Sequence, residues 1–256
     1  MDTSNIDTSK PNPARMYDYF LGGKDNFAVD REAAEQVLEL VPQIPYLARA
    51  NRAFLRRALR FLISEGIDQY IDLGTGIPTQ GNVNEIVLDA IPDAGIMYVD
   101  IDPVVCAHAR ALTGDRVQVH QADLRDPDAV LAAARQTLDL DRPVGLIAVA
   151  VMHFVTDDQE AGAIMAAYRA ALAPGSFLVL THGTDESLDR DTKEGSVGVY
   201  EKSTSPVHLR STAEVARLFE GFTLVEPGVV DLAAWRPDAE THQLDGVYGL
   251  GGVGRR

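Results

Sequence analysis

From residue 67 to the C-terminus the chain alternates short apolar runs with amphipathic stretches, and this alternation constrains the fold more than any other feature. The runs at 67–74, 95–102, 116–123, 143–154 and 175–184 have strand length. Each of the first four is followed by a stretch with apolar residues at helical spacing. Repeated strand–helix units make a parallel sheet with helices on both faces. The fourth run, PVGLIAVAVMHF, is almost wholly apolar, as a strand covered on both faces must be. A polar, Gly-bearing connector follows at 184–206. A helix at 211–219 comes next, with Ser211 and Glu214 at capping-box spacing. The runs FTLVEP and GVYGLGG then predict two closing strands without a full helix between them, hence an antiparallel finish.

The first 66 residues read differently. Residues 1–13 are polar and proline-bearing and are expected to form a disordered lead-in. Residues 14–66 are expected to form a helical cap, with helices at 14–21, 30–40 and 46–64. The remainder, 67–256, is expected to form the ligand-binding domain.

Composition narrows the function. Thirty-eight acidic residues against 23 Lys and Arg give a formal charge of −15, which disfavours a phosphate backbone as partner. No stretch approaches the length of a membrane helix, and the first residues lack the apolar core of a signal peptide. A single cysteine, Cys106, excludes an internal disulfide, fits a reducing compartment, and lies on an apolar helix face. The expectation is a cytoplasmic protein that acts on a small molecule, without nucleic acid or membrane; homo-oligomerisation is left open.

The chemistry concentrates at the strand ends, where open α/β sheets bind ligands. The first strand ends in Asp72-Leu73-Gly74-Thr75-Gly76, whose glycines allow a tight turn and a close approach to a ligand. Twenty-six residues after Gly74 the second strand ends in Asp100, followed by Ile101. A carboxylate there can accept from both hydroxyls of a ribose. The third strand ends in Asp123-Leu124, where an acid can accept from the exocyclic amine of adenine. A dinucleotide would want GxGxxG, but Thr79 occupies the third glycine's place and the next glycine is Gly81. Asp72 would repel phosphate and attract an ammonium. The pattern favours a nucleoside ligand with an amino-acid moiety.

The runs IDLGTG, VDID and QAD resemble motifs I, II and III of class I S-adenosylmethionine-dependent methyltransferases. More closely, ARMYDYFLGGKDNFAVDR, ARANRAFLRRALRFL, DLGTGIPT and VDIDPVV are similar to an actinobacterial family of methyltransferase-like proteins, formerly a domain of unknown function. The resemblance covers nearly the whole chain. It implies a Rossmann-like, doubly wound, mostly parallel sheet of seven strands in the order 3-2-1-4-5-7-6, with a helical N-terminal extension and S-adenosylmethionine as cofactor. It implies that Asp72, Gly74 and Gly76, with Thr75 between them, line the methionine end. Asp100 and Ile101 would hold the ribose side, Asp123 and Leu124 the adenine, and the segment from Ala150 to Phe154 would flank the sulfonium and the acceptor. Pro78 stands where a third glycine is common, so the loop's shape departs from the general pattern.

The N-terminal signature packs Tyr17, Tyr19, Gly22, Gly23, Lys24, Asp25, Asn26 and Phe27 into eleven positions, more polar and flexible than a core helix needs. It reads as a lid over the cofactor. Arg15 or Lys24 is placed to pair with the methionine carboxylate, the tyrosines Tyr17 and Tyr19 to shield the sulfonium, and Asn26 to add a polar contact. Gly23-Lys24 is not a P-loop, because Asp18 stands where its first glycine would be. In the long arginine-bearing helix, Arg49 and Asn51 are the residues placed to reach the cleft.

His153 and His182 end the fourth and fifth runs and are candidates for a general base. No zinc-type ligand spacing occurs, and no metal is expected. Trp235-Arg236-Pro237 reads as a packing anchor. Methyl transfer needs alignment and exclusion of water more than a fixed catalytic triad. Three functions remain at this point: a methyltransferase on a small acceptor, a cofactor-binding regulator without transfer activity, and a nicotinamide-dependent oxidoreductase.

Overall fold

A computed structural model describes residues 9–78, 81–186, 188–239, 241 and 249–256. Five parallel strands form the centre: β1 (Gln69–Leu73), β2 (Gly95–Asp100), β3 (Gln118–Gln121), β4 (Gly145–Val149) and β5 (Phe177–Gly183). Two-residue strands β6 (Thr223–Leu224) and β7 (Val230–Asp231) and the longer β8 (Gly249–Arg255) complete the sheet. The order is β3-β2-β1-β4-β5-β8-β6, with β7 also paired to β8. All pairings of β8 are antiparallel. With the small β7 set aside, this is the expected 3-2-1-4-5-7-6; β7 makes the sheet eight-stranded instead of seven-stranded. Residues 246–248 of the expected last strand lie outside the described residues.

Strand order reverses at β1, which lies between β2 and β4, so the crevice beyond its carboxyl end is the place for a ligand. Alternate side chains of the strands enter opposite layers. Ile71, Met97, Leu146 and Leu178 pack against α6 (Pro127–Ala134), α7 (Asp158–Ala171) and α9 (Thr212–Arg217). Tyr70, Ile96, Ile147 and Val179 pack against α3 (Ile44–Ser64), α4 (Val83–Ala90) and α5 (Pro103–Thr113). The helix starts are written in sequence: Asp102, Asp126 and Asp157 each cap a helix, and Ser211 and Glu214 form the expected capping box on α9.

A third apolar cluster joins α1 (Pro13–Phe20), α2 (Ala28–Leu40), the start of α3 and α8 (Arg190–Glu201) through Met16, Phe20, Ala34, Val37, Ala48 and Val199. The expected cap thus divides. Helices α1 and α2 sit over the strand ends, whereas α3 belongs to the layer that covers the sheet. Residues 1–8 of the expected lead-in lie outside the described residues. Asn12, also placed in that lead-in, is the N-cap of α1 and accepts from the N–H groups of Ala14 and Arg15.

Two local readings change. The expected connector at 184–206 contains α8. Its Gly195 and Gly198 weaken helix propensity, yet a Cβ on Gly195 would lie 3.0 Å from Leu40, so the glycine lets α2 approach. The expected fourth strand stops at Val149, because Ala150 turns into the left-handed region with φ +54°. His153 therefore lies on a one-turn 3-10 helix, Met152–Phe154, beyond the strand.

Candidate cofactor and acceptor site

One cavity of about 680 Å³ opens at the carboxyl ends of β1, β2, β4 and β5. Helix α1, the start of α3 and the segment after α8 wall its other sides. It is within the size range of small-molecule sites. Among the described residues no group of three or more His, Cys, Asp or Glu is arranged to hold a metal ion, and no helix is long and apolar enough to cross a membrane.

The turn after β1 is built on its glycines. Gly74 and Gly76 have φ +65° and +67°, which glycine adopts without strain. The N–H groups of Gly74 and Thr75 donate to the carbonyl of Val99 at 2.8 and 3.2 Å and pin the turn to β2. The Gly76 N–H donates to Asp100 Oδ2 at 3.0 Å, and the Asp102 N–H to Asp100 Oδ1 at 2.9 Å. Asp100 is thus aimed by two backbone groups and keeps lone pairs for a ligand. Burial pushes its carboxyl up to about 6, against those two hydrogen bonds. Asp72 is 8% exposed, and burial pushes its carboxyl up to about 7. Arg52 opposes that rise and Asp100 adds to it.

Ile101 lines the cavity with 56% of its surface exposed, an apolar shelf beside Asp100. Leu124 and Asp123 line it as well. The Asp123 carboxylate is held in a fork by Arg125, whose Nη2 lies 2.6 Å from Oδ2, and this partner outweighs burial and lowers the carboxyl. The strained Ala150 also lines the cavity, its N–H donating to Thr181 Oγ1 at 2.8 Å. Backbone strain of this kind costs on the order of 1–3 kcal/mol and gathers at functional sites.

The N-terminal candidates separate. Tyr17 and Arg15 line the cavity; Tyr19, Lys24 and Asn26 do not. The Asp18 carboxylate folds the glycine-rich turn onto itself. It accepts from the Asp25 N–H at 2.9 Å and from Asn26 Nδ2 at 2.8 Å, which leaves Lys24 exposed at the surface. Arg15 is committed to a buried ion pair with Asp30 at 2.6 Å, and its Nη2 donates to the Lys10 carbonyl. The cation beside Asp72 is Arg52, which stacks over the Tyr17 ring at 5.4 Å. Of Arg49 and Asn51, only Asn51 reaches the cavity; its Nδ2 donates to the Tyr17 hydroxyl at 3.0 Å. Arg52 was legible in principle, since it stands four residues after Ala48 and three before Leu55, both of which line the cavity.

Asn12 has a part that its sequence position does not announce. Its Nδ2 donates to Asp102 Oδ2 at 2.7 Å, and the Pro11 carbonyl accepts from the Thr204 N–H at 2.9 Å. The start of α1 is thereby clasped to the β2 turn on one side and to the segment after α8 on the other.

Both candidate histidines line the cavity. Burial holds His153 down to about 3 and His182 down to about 4. His153 stacks edge-on with Phe154 at 4.3 Å and with His182 at 5.6 Å. Cys106 is free and buried, and Trp235 is fully buried against Phe54 and Phe61.

The sequence profile of the family described as S-adenosyl methyltransferase matches residues 1–256. The chain belongs to this family. It is an S-adenosylmethionine-dependent methyltransferase, and the oxidoreductase and non-enzymatic readings have no support. Two solved structures are similar over almost the full chain. A candidate methyltransferase from Thermobifida fusca is 39% identical, with a TM-score of 0.90 and 98% of this chain and 96% of that chain covered. A DUF574-family protein from Streptomyces avermitilis is 37% identical, with a TM-score of 0.93 and coverage of 98% and 100%. The 1,6-didemethyltoxoflavin N1-methyltransferase of Burkholderia thailandensis, solved with its substrate and S-adenosylhomocysteine, shares the fold at 16% identity, with a TM-score of 0.51 and coverage of 81% and 78%. No curated protein matches the chain.

The residues fit the methyltransferase's cofactor. Asn51 Oδ1 and Arg52 Nε are buried at the cavity wall without a hydrogen-bond partner. Such groups cost free energy until a ligand satisfies them. Arg52 faces Asp72 and Asn51 lines the same cavity, so a donor, an acceptor and a carboxylate are available to an amino acid's charged end.

Proposed function

We propose that this methyltransferase transfers a methyl group to a small-molecule acceptor bound in the same cavity as the cofactor. The observation that carries the reading is the continuity of that cavity. It runs from the glycine turn to an uncharged wall of Phe154, Leu188, Tyr200 and Leu209, beyond the span of the strand ends. A net charge of −15 supports a small acceptor over a nucleic acid, and the free cysteine supports a cytoplasmic location.

In this reading Asp72, Arg52 and Asn51 hold the ammonium and carboxylate of the methionine moiety. Gly74, Thr75 and Gly76 present backbone to it. Asp100 accepts from the ribose hydroxyls, Ile101 and Leu124 sandwich the adenine, and Asp123 accepts from its amine. Ala150 lies beside the sulfonium, and Tyr17 faces it from α1. Bound S-adenosylmethionine supplies an electrophilic methyl group on a cationic sulfur. The chain aligns the acceptor with that methyl and excludes water. His153 stands at the acceptor end, where its neutral ring can orient a polar group of the acceptor.

We also propose that residues 14–40 act as a lid on the 67–256 domain, with the Asn12–Asp102 and Pro11–Thr204 bonds as its clasp. Lids of this kind shut out water and fix geometry. The test is release of S-adenosylhomocysteine by the purified enzyme, with S-adenosylmethionine and acceptors grouped as amines, ring nitrogens, phenols and carboxylates. Product with a small acceptor supports the reading. Product with protein or nucleic acid alone contradicts it.

A further inference from the structure

Arg210 is only 1% exposed, and no sequence motif points to it. Its guanidinium meets four groups. Nη1 donates to the Met152 carbonyl at 3.1 Å and to His182 Nε2 at 2.9 Å. Nη2 donates to the Val155 carbonyl at 2.8 Å, and Nε to Asp158 Oδ1 at 2.8 Å. Met152 and Val155 bracket the turn that carries His153 and Phe154 to the cavity. His208, two residues before Arg210, donates its N–H to the His153 carbonyl at 2.8 Å.

A guanidinium has five N–H groups and no acceptor. His182 Nε2 must therefore take this bond with its lone pair. The other ring nitrogen lies 2.7 Å from the Gly183 carbonyl, which only accepts, so Nδ1 carries the proton. The two bonds demand the same tautomer and use both nitrogens.

We infer that Arg210 is a positioning residue of the acceptor site, which locks His182 as a neutral, fully bonded imidazole and fixes the 152–155 turn. Among the described residues His153 is then the histidine left to meet the acceptor. The inference rests on the proposed placement of the acceptor at this end of the cavity.

Burial and the charged groups around His182 oppose its protonation and outweigh the Gly183 and Met152 carbonyls, which favour it. Arg210 faces it directly, the His153 ring stands edge-on at 5.6 Å, and His208 lies nearby. The carboxylate in the group, Asp158, is engaged with Arg210 and lies 3.7 Å from His208 Nε2. A proton added to His182 would meet a buried cation and lose a hydrogen bond. Among the described residues, neither cavity histidine is thus ready to take a proton at neutral pH. The acceptor's nucleophile must reach the methyl group with its lone pair already free, as an uncharged amine or ring nitrogen does.

Two-bond ¹H–¹⁵N NMR of the histidine rings in the full-length, S-adenosylhomocysteine-bound protein tests this. His182→Gln assigns the signal. The expected pattern is Nδ1 protonated and Nε2 bare, unchanged from about pH 8 to about pH 5. Arg210→Lys keeps the charge but not the fork. In that variant the single-tautomer pattern is expected to be lost and the His153 signals to move. Asp158→Asn, at a half-exposed partner, is the second variant if Arg210→Lys does not fold, and it too is expected to shift His182. Wild-type His182 protonated on Nε2, or titrating near pH 6.5 as free histidine does, overturns the inference. An unchanged spectrum in a folded variant also overturns it. No acceptor is needed, so failure here is separate from failure of the acceptor assay.

Discussion

Gly74 and Val151 meet across the gap between the β1 turn and the β4 turn. A Cβ built on Gly74 would lie 2.2 Å from Val151 Cγ2, and Gly74 has φ +65°. The glycine is needed twice, for its backbone angle and for the space that Val151 takes. Gly74→Ala is expected to lower stability by about 2–4 kcal/mol, from left-handed strain and overpacking together, and to abolish cofactor binding. Adding Val151→Ala relieves the overlap but not the strain, so the double variant should recover part of the stability. Thermal melts of the three proteins check this; equal melting of Gly74→Ala and wild type contradicts it.

Arg52 and Arg15 should behave differently although both line the cavity. Arg52→Met removes the cation that faces Asp72 and is expected to weaken S-adenosylhomocysteine binding by about 10- to 100-fold, the worth of a charged hydrogen bond. Its effect on melting should be small. Arg15→Met leaves Asp30 buried without its partner and is expected to cost about 3–5 kcal/mol of stability. Calorimetry and melting of each variant separate the two roles. The reverse pattern would show that Arg15 is the carboxylate anchor.

These contrasts show what the sequence made legible. Asp72, Gly74, Gly76, Asp100, Asp123 and Ala150 each sit at a strand end, and a βα alternation locates strand ends. Their line-up along the cavity follows from sheet order. Arg52, Asn12 and Arg210 depend on contacts between segments far apart in sequence, such as Asn12 with Asp102 and Arg210 with His182. No local pattern carries such pairs. The N-terminal signature misled in a specific way. Its polar Gly-Gly-Lys-Asp-Asn run serves the Asp18 carboxylate within its own turn, so Lys24 and Asn26 face away from the ligand cavity. Helix α8 was hidden because Gly195 answers to the packing of Leu40 and not to helix propensity.

Asp72 gives the enzyme a pH signature. Its carboxyl is raised from 3.8 to about 7, with burial the largest cause. Between about pH 4 and pH 7 the folded chain holds a proton that the unfolded chain has lost, so this group's contribution to stability falls as pH rises through that window. Asp100, raised to about 6, acts in the same direction. A bound ammonium favours the ionised form. Cofactor affinity is therefore expected to rise with pH, by at most about tenfold per unit for each carboxylate, and to level off above about pH 7. Asp72→Asn should flatten both profiles. Melts and titrations of the two proteins from about pH 5.5 to about pH 8 read the difference, and identical profiles contradict the assignment.

The clasp at Asn12 predicts a kinetic effect. Asn12→Ala removes the cap of α1 and the bond to Asp102, worth about 1 kcal/mol for the cap alone. Dissociation of S-adenosylhomocysteine is expected to speed up by about fivefold or more, with faster amide exchange in α1. Stopped-flow release measures the first and hydrogen exchange the second. Unchanged release from the variant would mean that α1 does not cover the cofactor.

The central claim is that Asp100 anchors S-adenosylmethionine at the β2 end. Calorimetric titration of wild type and Asp100→Ala with S-adenosylhomocysteine tests it most directly. The account predicts micromolar binding by wild type and a loss of about 100-fold or more in a folded variant. A folded Asp100→Ala that binds as wild type does, or a folded wild type that does not bind, would contradict it.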